Sequence, residues 1–342
     1  MSQKDRASSF ELLRILCIYG IISMHVFGSY LERAVGADRV YLCFVNTVFN
    51  MGVSIFMLIS GYFGIKFSVR KMVKLMAPVM VYAMAGTLIS FQMKQYFSAK
   101  ELVNAIFAVF VNKYWFATSY IIIFMLSGYI NKLLQSLERP EYRRLLLILV
   151  VFFVVAPTLL MEPKLYNGGK NVLHLLLMYV VGRYIGLYDI TLGKAKSSLF
   201  AILSLGALFS VTLCLSLIYK GKGGAVITFC TDNSICIFLG SVFTFLFFKN
   251  ISFKSRLVNL IAASVFATYL FEGTVRKLIG SVFNHETLGI CETPYNIVLP
   301  IIVILVVFVV ERIRVMCFSK FEEWVVKKLS SFGDKTSAPN FF

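Results

Sequence analysis

Apolar runs long enough to cross a bilayer recur along almost the whole chain, parted by short charged loops. About 20 apolar residues cross the hydrocarbon core as a helix, and in lipid each spanning element must satisfy its own backbone polar groups. Ten runs can be read, at roughly 12–31, 41–65, 72–92, 114–134, 143–162, 171–190, 197–219, 225–248, 257–280 and 296–313. The apolar stretch 102–111 is too short to cross and is expected to lie in the interface or re-enter. With 58% hydrophobic and 15% charged residues, the chain reads as an all-α, polytopic membrane protein of about ten helices. A membrane β-barrel would alternate over ten-residue segments instead.

The formal charge of +17 does not point to nucleic acid, because the basic residues punctuate the spans and form no single solvated surface. If the N-terminus is cytosolic, twenty-one Lys and Arg fall on the inner segments and eleven on the outer ones. That bias predicts both termini on the cytosolic side of the cell membrane. The first run lacks a cleavage signature and is expected to remain as a span. Residues 1–318 are expected to form the membrane domain. Residues 319–342 are expected to form a short cytosolic tail, its Phe321, Trp324 and Val325 mixed with Lys327 and Lys328 as in an interfacial helix. The seven cysteines, Cys17, Cys43, Cys214, Cys230, Cys236, Cys291 and Cys317, contain no CxxC pair. They imply neither a disulfide framework nor a metal site.

The first run carries Arg14 and His25. Their separation of eleven residues makes three turns plus about 20°, so both lie on one helical face, roughly 16 Å apart along the axis. Arg14, near the start of the span, either snorkels to the headgroups or serves a site. His25 lies about 20 Å from Leu12 along the helix, beyond easy snorkelling. It is either satisfied by neighbouring helices or functional.

Three further runs bring polar residues to the height of His25: Asn46 and Asn50 on the second, Asp232 and Asn233 on the eighth, and Glu272 on the ninth. Isolated polar groups in lipid are costly, so one layer around a wet cavity is expected. Two simpler readings stand beside it. Glu272 and Arg276 form an i,i+4 ion pair, or the Thr231–Ser234 run is loop chemistry that starts the eighth span late. At the other membrane face Arg70, Lys71 and Lys74 precede Pro78. They either mark topology or, with Arg14 at the same level, hold phosphates through charge-assisted hydrogen bonds.

Taken in order, these elements resemble the acyltransferase 3 family of polytopic membrane acyltransferases. The first-span Arg-x10-His is matched by Arg14 and His25. The apolar SGY pattern is matched by Ser54–Tyr62, the basic element by Arg70, Lys71 and Lys74 ahead of Pro78, and the Trp motif by Lys113–Ala117. The GR-Y-G element is matched by Gly182, Arg183, Tyr184 and Gly186. Two positions depart: Tyr114 stands where the family often has His before the Trp, and Glu272 stands where the ninth span often ends in His.

The resemblance implies an O-acyltransferase of the bacterial cell membrane. An acetyl or other short acyl group would pass from acyl-CoA, a substrate and not a bound cofactor, to a hydroxyl of a cell-envelope polysaccharide or its lipid-linked precursor. His25, Arg14 and Glu272 form the implied catalytic set, His25 acting as general base or transient acyl carrier. Arg14, Arg70, Lys71 and Lys74 would meet the CoA phosphates. Asn46, Asn50, Trp115, Asp232 and Asn233 would shape the acceptor site or orient His25, although Trp115 also suits an interfacial belt. Ser60 and Gly61 suit close helix packing. Any handover partner would be a separate extracytoplasmic protein. The alternative is a transporter or flippase of a glycan or small polar solute. The lack of two recognisable repeats and the poverty of Gly/Pro-broken span pairs weigh against it.

Overall fold

The computed structural model describes residues 7–27, 34–160, 165–219, 226–227, 229–282 and 292–335; Cys291 lies outside them. No strand occurs among the described residues. The helices are α1 (Ser8–Phe27), α2 (Gly36–Val48), α3 (Gly52–Phe63), α4 (Val69–Lys94), α5 (Ala99–Ile106), α6 (Trp115–Ser136) and α7 (Arg139–Val150). They continue with α8 (Ala156–Leu159), α9 (Val172–Leu187), α10 (Lys194–Ile218), α11 (Ile235–Lys249), α12 (Arg256–Ala262), α13 (Val265–Val282) and α14 (Glu292–Lys335). One turn of 3₁₀ helix joins α2 to α3, and a π-helical segment joins α7 to α8.

Among the described residues, seven helical units are long and apolar enough to cross a membrane, and eight if the bent pair α12–α13 counts as one. The runs at 171–190 and 225–248 correspond to shorter apolar helices, α9 and α11. α11 starts late because Ser234 caps it, its hydroxyl accepting from the Ile237 amide at 3.2 Å. The stretch 102–111 forms the end of the eight-residue α5 followed by turns. Leu147, Phe152, Leu199, Ile202, Leu203, Ile301, Leu305 and Val309 are all exposed. Apolar surface on that scale suits lipid and not water.

α1 is the hub of the bundle. It packs against α2, α3, α11, α12, α13 and α14. Two hydrophobic cores meet on it: Leu13 and Cys17 join α3, α9 and α11, while Ile18 and Ile22 join α4, α13 and α14. Its first turn is anchored by Ser8. The Ser8 hydroxyl donates to Asn259 Oδ1 at 3.0 Å and accepts from the Ser255 amide at 2.9 Å, which fixes α1 to α12.

The tightest seam runs between α3 and α9. Gly61 lies against the Tyr179 carbonyl, Gly182 against the Leu58 carbonyl and Gly186 against the Tyr62 carbonyl, each too close to admit a methyl group. Gly182 and Gly186 have GxxxG spacing, which lets two backbones approach in lipid, where packing replaces the hydrophobic effect as the driving force. The end of α3 is satisfied from α9 and α6. Tyr179 Oη accepts from the Ile65 amide, and Asn131 donates to the Ile65 carbonyl at 2.8 Å. The expected packing role of Gly61 therefore has a physical partner.

α14 has 44 residues, a length of roughly 66 Å at 1.5 Å per residue. It continues through Ser319 without a break, so residues 319–335 extend the last helix. We expect Gly182→Ala to destabilise the protein by about 1–3 kcal/mol, the usual cost of overpacking, and to lower the midpoint of thermal unfolding in detergent. Gly128→Ala, where a methyl meets nothing within 4 Å, should leave that midpoint unchanged or raise it. Equal midpoints for the two variants would remove the seam as a source of stability.

Candidate active site

The helix carrying Glu272 is broken. α12 and α13 meet at an angle of 57°, and Ser264 turns the chain between them, its hydroxyl donating to the Ile261 carbonyl at 2.7 Å. Irregular backbone at membrane depth is tolerated where it lines a cavity, and this break does so. Ala263, Val265, Phe266 and Ala267 line a cavity of about 440 Å³ that also takes in Arg14, Ile21, Ser60, Lys74 and Arg314. A second cavity, of about 570 Å³, is lined by His25, Lys113, Trp115, Glu272, Arg276 and Lys277. We call these the basic cavity and the histidine cavity.

Two helical stripes run from one cavity to the other. On α1, Arg14 and Ile21 face the basic cavity and His25 faces the histidine cavity. On α13, Phe266 faces the first, Tyr269 borders both, and Glu272, Gly273 and Arg276 face the second. The spacing that puts Arg14 and His25 on one face thus lays them along a common route.

His25 Nδ1 lies 2.8 Å from Glu272 Oε1. Glu272 is held by Arg276, whose Nε donates to Oε2 at 2.5 Å. Arg276 Nη1 also donates to the His25 carbonyl at 3.0 Å, tying α13 back to α1. An ionised carboxylate only accepts hydrogen bonds, so the nitrogen facing it carries the proton. In the neutral imidazole Nε2 then carries the lone pair, and it makes no hydrogen bond among the described residues. The Glu272 side chain is 8% exposed and that of His25 46%. The carboxylate is therefore sheltered while the imidazole is open to the cavity. The arrangement is that of a base oriented by a carboxylate through its far nitrogen. Both readings of Glu272 hold together, as helical ion pair and as partner of His25.

The basic end is more crowded than the sequence suggests. Arg14 pairs with Glu11 at 3.5 Å and lies over the Phe56 ring, 6.0 Å from its centroid. Arg70 bonds Glu323 at 2.5 Å, with Lys74 3.9 Å from the same carboxylate. Lys71 turns back to the Lys66 carbonyl. Of the three, only Lys74 lines the basic cavity. Glu322 and Glu323, on the extension of α14, close the same side, and buried Arg314 bonds both Glu311 and Glu322. Reading the tail as a short interfacial helix hid these carboxylates. The signal was the Glu-Glu pair of residues 322–323, opposite in charge to the cluster after span two.

The single polar layer does not form. Asn46 donates to the Leu42 carbonyl one turn back on its own helix. Asn50 donates to the Cys230 carbonyl at 2.5 Å. Asp232 and Asn233 are buried against the Gly168–Gly169 turn: the Asp232 amide donates to the Gly168 carbonyl, and Asn233 Nδ2 to the Leu165 carbonyl. None of the four lines the histidine cavity or bonds His25. The loop reading of Thr231–Ser234 is the one that describes Asp232 and Asn233. Trp115 does line the histidine cavity, as do Lys113, Tyr114 and Tyr269, which sequence reasoning had not placed there as cavity walls. A second histidine, His174, is buried in the α3–α9 seam, where its Nε2 lies 2.9 Å from the Ser54 hydroxyl.

No curated protein and no solved structure matches the chain. A family model does match: an acyltransferase domain aligned over residues 8–310, from the first turn of α1 well into α14. The match covers most of the chain, and this chain belongs to the acyltransferase 3 family.

Proposed function

We propose that the protein is a membrane O-acyltransferase that moves an acetyl or other short acyl group from acyl-CoA to a hydroxyl of a cell-envelope polysaccharide or its lipid-linked precursor. The observation that carries this reading is the Glu272-clamped imidazole of His25, open to one cavity while Arg14, on the same helical face, lines the neighbouring one. Family membership supports a transferase. The charge bias of the loops supports a cytosolic basic cavity, the side from which a CoA donor would come.

In this reading the donor phosphates meet Arg14 and Lys74, with Arg70 beside them. Phosphate suits such a cluster because charge-assisted hydrogen bonds are strong where cations converge. The thin pantetheine arm follows the Arg14–His25 face toward the histidine cavity. The acceptor hydroxyl enters from the other side, with Trp115 as a platform. Nε2 of His25 takes its proton while the oxygen attacks the thioester carbonyl. The C–O bond forms, the C–S bond breaks, and the proton passes to the departing thiolate. Transient acylation of Nε2 would use the same open nitrogen. Glu272 does in either case what a carboxylate does best here: it fixes the tautomer and balances the imidazolium that forms.

His25→Ala in purified, folded protein should abolish acyl-CoA-dependent acylation, and Glu272→Gln should lower kcat by about 10²–10⁴-fold, the range for an oriented general base. Wild-type turnover in His25→Ala would remove the imidazole from the chemistry. Arg14→Ala should weaken binding of CoA by about tenfold or more, as expected for a lost charged hydrogen bond. Unchanged CoA affinity in that variant would detach the basic cavity from the donor. Glu323→Gln frees Arg70 and Lys74 from their shared carboxylate and should tighten donor binding, but by less than about fivefold, since exposed ion pairs are weak. Weaker donor binding in that variant would exclude competition at the cluster.

A further inference from the structure

The two cavities are separate, and Tyr269 is the one described residue that borders both. We propose that its ring is a movable septum, closed between donor and acceptor chambers at rest and swung aside for transfer. The inference rests on the acyltransferase reading, and it assigns a positioning role to the tyrosine one turn before Glu272.

The ring is held from the start of α6, where its hydroxyl accepts from the Phe116 amide at 3.3 Å, long for an amide donor, and also meets the Ala117 amide. Edge-on aromatic contacts join it to Phe116 at 5.4 Å and Tyr114 at 6.2 Å between centroids, and it packs at the edge of both hydrophobic cores. Space lies on both sides. The basic cavity adjoins one face. Toward the histidine cavity the next turn carries Gly273, where even an added methyl would meet nothing within 4 Å. The ring can therefore move without displacing backbone. It also stands one turn before Glu272 on the same stripe, so septum and base are built on one rigid stretch of helix.

The chemistry explains why a partition is useful. A thioester on the basic side must reach His25 Nε2 on the other. Water in the histidine cavity competes with the acceptor. If water attacks instead, the C–S bond still breaks, but the products are free acid and CoA thiol in place of an ester. A closed site suppresses that side reaction, and here one phenol ring divides the wet chamber from the donor.

The test uses the purified full chain with acetyl-CoA and no acceptor, reading thiol release. Tyr269→Ala should raise acceptor-free release by about tenfold or more over wild type, as expected when water is admitted to a protected reactant, with donor affinity unchanged. Tyr269→Phe, which keeps the ring and loses the bond to Phe116, should give an intermediate rise. Adding His25→Ala to Tyr269→Ala should cancel the gain. If both Tyr269 variants bind donor normally and release thiol at the wild-type rate, there is no septum. If the wild-type protein neither binds nor consumes acetyl-CoA, the acyltransferase reading fails, and the septum is judged without chemistry. For that, Ser60→Cys is placed in the basic cavity of a chain whose seven native cysteines are replaced by Ala or Ser. A membrane-impermeant maleimide is then applied from the histidine side. Labelling only when Tyr269 is also Ala supports the partition, and equal labelling with and without the ring overturns it.

Discussion

A carboxylate set inside an apolar bundle has to be compensated from several directions at once, and Glu272 is. Arg276 approaches one oxygen, His25 the other, and Arg276 reaches on to the His25 carbonyl. Remove any member and a charge or a donor is left without a partner where water is scarce, an expensive outcome. The same three groups leave a single imidazole nitrogen uncommitted and pointing at open space. The electrostatic requirement of burial and the requirement for a positioned base are met by one set of contacts. That is why the departure from a histidine to a glutamate at the end of this helix need not weaken the site.

The bundle divides its labour between two kinds of packing. Along α3 and α9 the backbones touch through Gly61, Gly182 and Gly186, leaving no side-chain slack. Around α13 the packing is looser, because the helix is broken and a cavity fills the angle. Close-packed interiors transmit displacement and do not absorb it. Motion needed for substrates to enter therefore falls on the α13 side, where single side chains border open volume.

Much of this was legible in the sequence where helical periodicity carried the information. Arg14 and His25 share a face because eleven residues make nearly whole turns, and Glu272 meets Arg276 because i,i+4 partners are neighbours on any helix. Asn46, Asn50, Asp232 and Asn233 show the limit of that argument. Depth along a span fixes height, whereas contact also needs direction, and direction is set by which helices pack together. Asn46 satisfies itself on its own helix, and Asp232 and Asn233 belong to the connection that α11 leaves uncoiled ahead of Ser234. Glu322 and Glu323 were hidden for a different reason. A charged, mixed segment past the last span reads as solvated surface, and only the uninterrupted run of α14 brings it back against Arg70 and Lys74.

The anchoring of Ser8 acquires a second meaning beside the histidine pair. One end of α1 is fastened to α12 through Asn259 and the Ser255 amide, the other to α13 through Glu272 and Arg276. α1 thus braces the elbow between α12 and α13 as a strut spans a bent arm, and the angle of that elbow is set by the strut's length. Lengthening or shortening α1 by a single residue would rotate one fastening by about 100° away from its mate. The elbow would then be free to straighten, and the hollow it encloses would collapse.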